Sequence, residues 1–380
     1  MTVPITPDFY IPAPAPSAQD SIRFPLSWLL EHASAPIKFR AATEVARIPT
    51  EGADALASLP YTYEPALLLA LLQHTDGTWP GGMLAVPSSA ESFQDVGTIS
   101  AVQRLLEYGW ERDSPPLLQA RRVLFRLLAE DDDPSYLFEL SPRGRADPDL
   151  VRHGRAILRE AAAAALAQAG YGHDPRLRGA ARRIMERVDA FLRSPNAEKP
   201  FVRSGNQHVL AQGAAPPSIY LLEMLAYMPH FRNEHYDFME RLYTAISQPI
   251  PRQTAASLVG ERIVAEPHLV LGDQLPHRNA LDADIPAALQ WLELVARLGL
   301  LQRNENWSKL FERFLGDRDA EGVWKQPGTG RRTPTLSAST PYSWPTFPLS
   351  PDTSTESIRA DVTFRLGVIG RYGGWVVEVE

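Results

Sequence analysis

The chain has 380 residues, no cysteine and a formal net charge of −7. Without cysteine it can form neither disulfides nor thiolate metal sites nor a cysteine nucleophile, and the acidic balance argues against a general nucleic-acid binder, which would carry a basic face. The length exceeds what one compact core usually serves, unless the chain is built from repeats that pack only on their neighbours.

Residues 1–20 begin MTVPITPDFYIPAPAP. They show no basic region followed by an apolar core, so they read as an extended proline-rich arm with polyproline II character rather than a signal peptide. A single domain is expected over residues 21–380. Within it, Ser27–Arg47 and Tyr61–His74 read as helices that close the architecture against a C-terminal helix near Trp375, bringing the chain ends together. From there a long internal period appears. Five segments are apolar on most sides and must be buried: Thr98–Tyr108, Ala156–Ala169, Ser218–Met228, Ile285–Leu301 and Ile358–Tyr372.

Four of these are followed by a short turn and an amphipathic helix. The stripes are Ala120, Leu124, Leu127 and Leu128; then Ala181, Ile184, Met185, Val188, Phe191 and Leu192; then Met239, Leu242, Tyr243 and Ile246; then Trp307, Leu310, Phe311, Phe314 and Leu315. These spacings mark one helical face. An all-α fold is therefore expected, an α/α-toroid of five or six inner and outer helix pairs, with an open superhelix as the alternative. Connections from inner to outer helix are short, at Gly109–Pro116, Gly170–Pro175, Pro229–His235 and Gln302–Glu305. The return connections are long, at Glu130–Arg155, Ser194–Pro217, Gln248–Asp284 and Gly316–Ser357. Alternating helix direction puts the long loops at the N-terminal end of the inner helices, where a repeat protein commonly binds. No run approaches the roughly 20 apolar residues that span a bilayer, and a cytoplasmic protein is expected.

The segment LLALLQHTDGTWPGG (Leu68–Gly82) places Gln73, Asp76, Gly77 and Trp79 in the pattern Gln-x-x-Asp-Gly-x-Trp, and FERFLGDRDAEGVW repeats it in degenerate form, keeping Gly322 and Trp324. This resembles the repeat signature of squalene cyclases and of the protein prenyltransferase β-like toroids. Trp28–Ala46 also resembles the opening helix of bacterial toroids of this type. The resemblance implies a toroid that binds an apolar, isoprenoid-like ligand and acts as a terpene cyclase. It implies that the motif staples neighbouring units, the Gln bonding an adjoining helix end while the Trp packs back on the turn. Two departures count against particular activities. Prenyltransferases and lanthionine-forming toroids hold zinc partly through cysteine, and the Asp-x-Asp-Asp acid of class II terpene cyclases is missing.

The candidate acids are accordingly Asp132 and Asp133, in the run Glu130–Asp133, and Asp282 and Asp284, before Ile285-Pro286. Closely spaced carboxylates can share a proton for donation. The first run can equally be a solvated helix end, and Asp282 and Asp284 can equally cap a helix. Asp95 and Asp361 are expected to face the same cavity. Arg155 and Arg159, with Arg152 and His153, form a basic cluster where the second inner helix begins; it suits a phosphate or carboxylate, or a solvated face. Tyr220, Tyr227, Trp291 and Trp344 are expected to line the cavity, where aromatic faces suit carbocations or sugar rings, although core packing uses such residues too. The nine histidines show neither H-x-x-x-H nor H-x-x-E-H spacing, so no metal is expected, and with no P-loop, dinucleotide turn or serine-nucleophile motif, no cofactor either. Two other functions compete: a non-catalytic scaffold binding a protein or peptide, and an (α/α)-barrel carbohydrate-active enzyme with paired carboxylates.

Overall fold

The computed structural model describes residues 21–88, 92–129, 142–275, 284–326 and 340–380. These are mostly helical, with a few short strands. Strand β1 (Ser21–Phe24) leads into α1 (Leu26–His32) and α2 (Ala35–Arg40), which runs on as a π-helical turn over Ala41–Val45. Helices α3 (Asp54–Ser58) and α4 (Glu64–Leu71) follow.

The expected alternation of buried and amphipathic helices then appears. Helix α5 (Thr98–Glu107) is buried along almost its whole length, and α6 (Pro115–Leu127) packs beside it. After the short α7 (Pro142–Arg145) come α8 (Pro148–Gln168) and its partner α9 (Pro175–Leu192). Helix α10 (Ile219–Ala226) is followed by α11 (Pro229–Glu234) and α12 (Tyr236–Ile246). Helices α13 (Ile285–Arg297) and α14 (Glu305–Gly316) form the next pair, and α15 (Thr355–Gly373) is the last buried helix. Successive buried helices touch: α5 packs on α8, α8 on α10, α10 on α13 and α13 on α15, and α15 meets α2 and its π-helical turn.

Helix α8 starts well before the apolar run at Ala156. Asp147 caps it, its carboxylate accepting from the Asp149 and Leu150 amides, and Pro148 fits the first turn. The connection expected to reach Arg155 is therefore shorter. Two other long connections hold β-hairpins where the sequence pattern suggests only loop: β2 (Phe201–Ser204) with β3 (Gln207–Leu210), and β4 (Ala256–Val259) with β5 (Arg262–Ala265). Each turns on a glycine-led dipeptide, Gly205-Asn206 and Gly260-Glu261, a signal that short, weakly alternating flanks obscure.

Alongside the packing of α1 and α2 on α15, the first and last described segments meet as strands. β6 (Val376–Val379) pairs parallel with β1, Ser21 opposite Val376 and Phe24 opposite Val379. Ile22 and Phe24 are buried against α15. This approach needs Gly367 and Gly370, because a Cβ there would lie 2.3 Å from the Phe24 ring and 2.4 Å from Ile22 Cδ1.

The Gln-Asp-Gly-Trp segment acts as the staple it is expected to be. Gln73 Nε2 donates to the carbonyls of Pro116 (2.8 Å) and Gly77 (3.2 Å), tying the end of α4 to the first turn of α6. Asp76 accepts from the Thr78 amide and hydroxyl. Gly77 takes φ +89°, and a Cβ there would sit 2.8 Å from the Gln119 carbonyl oxygen. Trp79 is buried; its indole donates to Leu69 O, and its amide donates to Thr98 Oγ1 at the start of α5. The degenerate copy repeats the last contact: the Trp324 amide donates to Thr363 Oγ1 on α15.

Candidate functional site

Each buried helix carries polar residues where an apolar side chain would be expected, and one set of them converges. Arg40 ends α2, Glu44 lies in the π-helical turn, Gln103 and Glu107 are on α5, Gln168 ends α8, Glu223 is on α10, Glu293 and Arg297 are on α13, and Arg365 is on α15. Arg365 is fully buried, with 0% of its surface exposed. It donates to Glu293 Oε2 (2.8 Å), Glu107 Oε2 (2.7 Å) and the Thr346 carbonyl (2.6 Å). Arg40 bridges Glu107 (2.5 Å) and Glu44 (2.6 Å). Arg297 bridges Glu44 and Glu293, and its guanidinium lies between the rings of Tyr227 (4.9 Å) and Tyr372 (4.0 Å). Three guanidinium groups and three carboxylates thus alternate in one lattice.

Burial alone would raise the Glu44 carboxyl, but Arg40 and Arg297 outweigh it and hold the group far below the usual carboxylate range. The same contest lowers Glu107, where Arg40 and Arg365 overcome desolvation. Among the described residues, Glu223 faces no cation. Burial pushes it up to about 8, opposed only by a hydrogen bond from Gln103 Nε2 (3.2 Å), and nearby Glu107 adds to the rise. At neutral pH Glu223 is therefore mostly protonated while Glu107 is ionised.

Glu107, Glu223, Gln103, Gln168, Tyr227 and Arg297 are among the residues lining a small cavity of about 40 Å³, room for about two or three waters. Glu107, Gln168, Tyr227 and Arg297 also line a wider vestibule of about 540 Å³. That vestibule opens between the Gly109–Asp113 and Gly170 turns and is walled by Arg40, Thr43 and Arg112. Helix C-termini meet there: Arg40, Glu107, Gln168 and Arg297 each end a helix. The buried helices accordingly run in the same direction, and this polar funnel opens at the end opposite the expected one. Guanidinium groups suit that end, since the last helical carbonyls carry partial negative charge.

The residues proposed from sequence are scattered. Asp132, Asp133 and Asp282 lie outside the described residues. Asp284 precedes α13, but its side chain makes no capping bond; the helix starts on its backbone carbonyl, which accepts from the Ala288 amide (3.0 Å). The capping reading thus fails there, because φ −126° with ψ 35° departs from the extended cap conformation. Asp95 lies on the surface, away from the cavity, both carboxylate oxygens accepting from the Ser88 amide. Arg155 is buried along α8, and Arg159 donates to the Ala129 carbonyl; Arg159 borders an outer groove with Arg152 and His153 rather than the funnel. Asp361 is buried on α15, accepting from the Leu349 amide, with its carboxyl raised to about 6 by burial.

Of the aromatics, Tyr227 lines the funnel. Tyr220 stacks on His268 and meets Tyr342 edge-on. Trp291 packs edge-on to Trp307. Trp344 sits over the Arg104 guanidinium, which also holds the Trp344 and Pro345 carbonyls. Among the described residues, no three His, Asp or Glu side chains are arranged to hold a metal ion, and no helix is long and apolar enough to cross a membrane. No family model, no curated protein and no solved structure matches the chain.

Proposed function

We propose that the chain is a closed α/α-toroid whose central funnel binds a small polar, hydroxyl-bearing ligand and presents Glu223 to it as a proton donor. Closure is supported by the unbroken series of helix contacts from α5 round to α15 and α2, joined to α5 by the Arg40–Glu107 ion pair. The observation that carries the ligand site is the pairing of Glu223 and Glu107 in one cavity. One carboxyl is held protonated and the other ionised, and such divergence marks acid and base roles. Glu223 would donate to a ligand oxygen, while Glu107, fixed by Arg40, Arg365 and Gln168 Nε2 (3.1 Å), would offset positive charge developing on the ligand.

The vestibule volume falls in the range of small-molecule sites. The wall chemistry favours the carbohydrate-like class over the isoprenoid cyclase that the sequence resemblance implies. An isoprenoid would displace water from the ion pairs and give no hydrogen bond back. A second reading, an ionic core in a binding scaffold, is favoured by the small cavity and by the pairing of all six lattice ions.

Calorimetric titration with a panel of saccharides, polyols and polyprenyl diphosphates separates these readings. A hydroxyl-rich ligand should bind the wild type, lose binding in Thr43→Trp, which plugs the vestibule, and bind Glu223→Gln without turnover. Preferential binding of the isoprenoid would restore the cyclase reading. Failure of every ligand would leave the scaffold.

A further inference from the structure

At the other end of α10 and α13, beyond the side chain of Gln290 and the loop at Tyr342, a second pocket of about 130 Å³ opens. Gln290 and Tyr342 belong to both this pocket and the central cavity, and Gln290 Nε2 donates to the Tyr342 carbonyl (2.5 Å), so the two spaces share a wall. The lining differs in kind. Trp291, Ile219, Val270 and Leu294 supply a buried apolar surface, and burial holds the Tyr342 phenol neutral, pushed up to about 12. The polar side chains on the wall are His268, Gln274, Gln290 and Thr340, beside the Tyr342 phenol. Burial pushes His268 down, so its imidazole is neutral at pH 7 and can donate or accept.

The pocket is built, not incidental. The strap Glu266–Val270 that forms its outer side is pinned to the start of α10. The Ile219 amide donates to the His268 carbonyl (2.8 Å) and the Val270 amide to the Pro217 carbonyl (2.7 Å). Tyr220 backs the strap by stacking on His268.

We propose that this pocket binds a single small aromatic molecule of phenol-to-indole size, with its ring between the apolar walls and its one polar group on His268 or a glutamine amide. Size decides against larger ligands: an apolar cavity of about 150 Å³ accommodates one benzene ring. The rings of Trp291, Tyr342 and His268 in its lining suit a planar guest better than a branched aliphatic one. The mostly apolar surface with a few convergent polar groups is the usual composition of a ligand site. The pocket shares a wall with the polar funnel, but this assignment does not rest on the funnel's ligand and stands if that reading falls.

Indole, phenol, toluene and cyclohexanol are the probes. Calorimetry and thermal-shift measurements on the full chain should show saturable one-to-one binding of indole or phenol, with cyclohexanol at least tenfold weaker. Ala287→Phe, which fills the pocket from α13, should weaken aromatic binding at least tenfold at an unchanged melting temperature. Should that variant be unstable, Gln290→Leu supplies the second measurement, weakening phenol more than toluene. Thr43→Trp, at the opposite mouth, should leave indole binding unaltered. Absence of saturable aromatic binding in the wild type, equal binding of cyclohexanol, or loss of binding in Thr43→Trp with none in Ala287→Phe would each overturn the assignment.

Discussion

Glu223 and Glu107 are the same residue type in the same cavity, and their surroundings drive them to opposite states. Two guanidinium groups bond Glu107; a single amide bonds Glu223. Because the folded chain keeps Glu223 protonated up to about pH 8, while an exposed glutamate ionises near pH 4.5, the folded state binds the extra proton between these values. Stability from this group is complete below about pH 4.5 and is lost as pH rises through 8, amounting to a loss on the order of 3–5 kcal/mol. Glu223→Gln should remove that slope: urea unfolding at pH 5 and pH 9 should differ less in the variant than in the wild type. An unchanged difference would show that Glu223 is ionised in the fold. Both residues are legible in the sequence as charges interrupting apolar runs, Glu223 within SIYLLEMLAYM and Glu107 within TISAVQRLLEY. The acidic clusters of the loops are more conspicuous, and Asp132, Asp133 and Asp282 in them lie outside the described residues. Glu223 differs from an ordinary core intruder only through the partners that tertiary packing withholds, and spacing along one helix carries no record of them.

At the scale of elements, the staple is a motif whose mechanics can be read from residue types and spacing alone. Gln73 is expected to bond a neighbouring helix end and does so at Pro116, in the first turn of α6. Gln73→Ala removes two hydrogen bonds and leaves part-buried carbonyls, and should cost about 1–3 kcal/mol in chemical denaturation; a change under about 0.5 kcal/mol would mean the staple is decorative. Helix pairs are legible because their periodicity extends over many residues. The hairpins are not, since four-residue strands give too short an alternation to stand out from loop sequence. The start of α8 escapes a periodicity reading for a related reason: its first two turns, from Pro148 to Arg155, are polar, and only the Asp147 cap marks them.

For the molecule as a whole, the approach of the first described segment to the last follows from the repeat pattern, but their pairing as strands does not. β1 is a four-residue segment whose buried Ile22 and Phe24 find their partners on α15, at the far end of the sequence. No local pattern announces that. Gly367→Ala should push the Phe24 ring outward and cost about 1–3 kcal/mol, with amide exchange accelerating first in β1 and β6. Exchange accelerating evenly throughout would show that the strand pair is not a separate unit.

Parallel pairing of the first and last described strands also has a mechanical meaning. Tension applied to the two ends of this segment pulls the start of β1 and the finish of β6 in opposite directions along the strand axis. The bonds between Ser21–Phe24 and Val376–Val379 are therefore loaded in shear, all together, instead of being peeled one at a time. Forced extension is governed by the barrier to unfolding rather than by equilibrium stability. Tension drawn across both ends of this segment would therefore load the strand pair before any helix is drawn out.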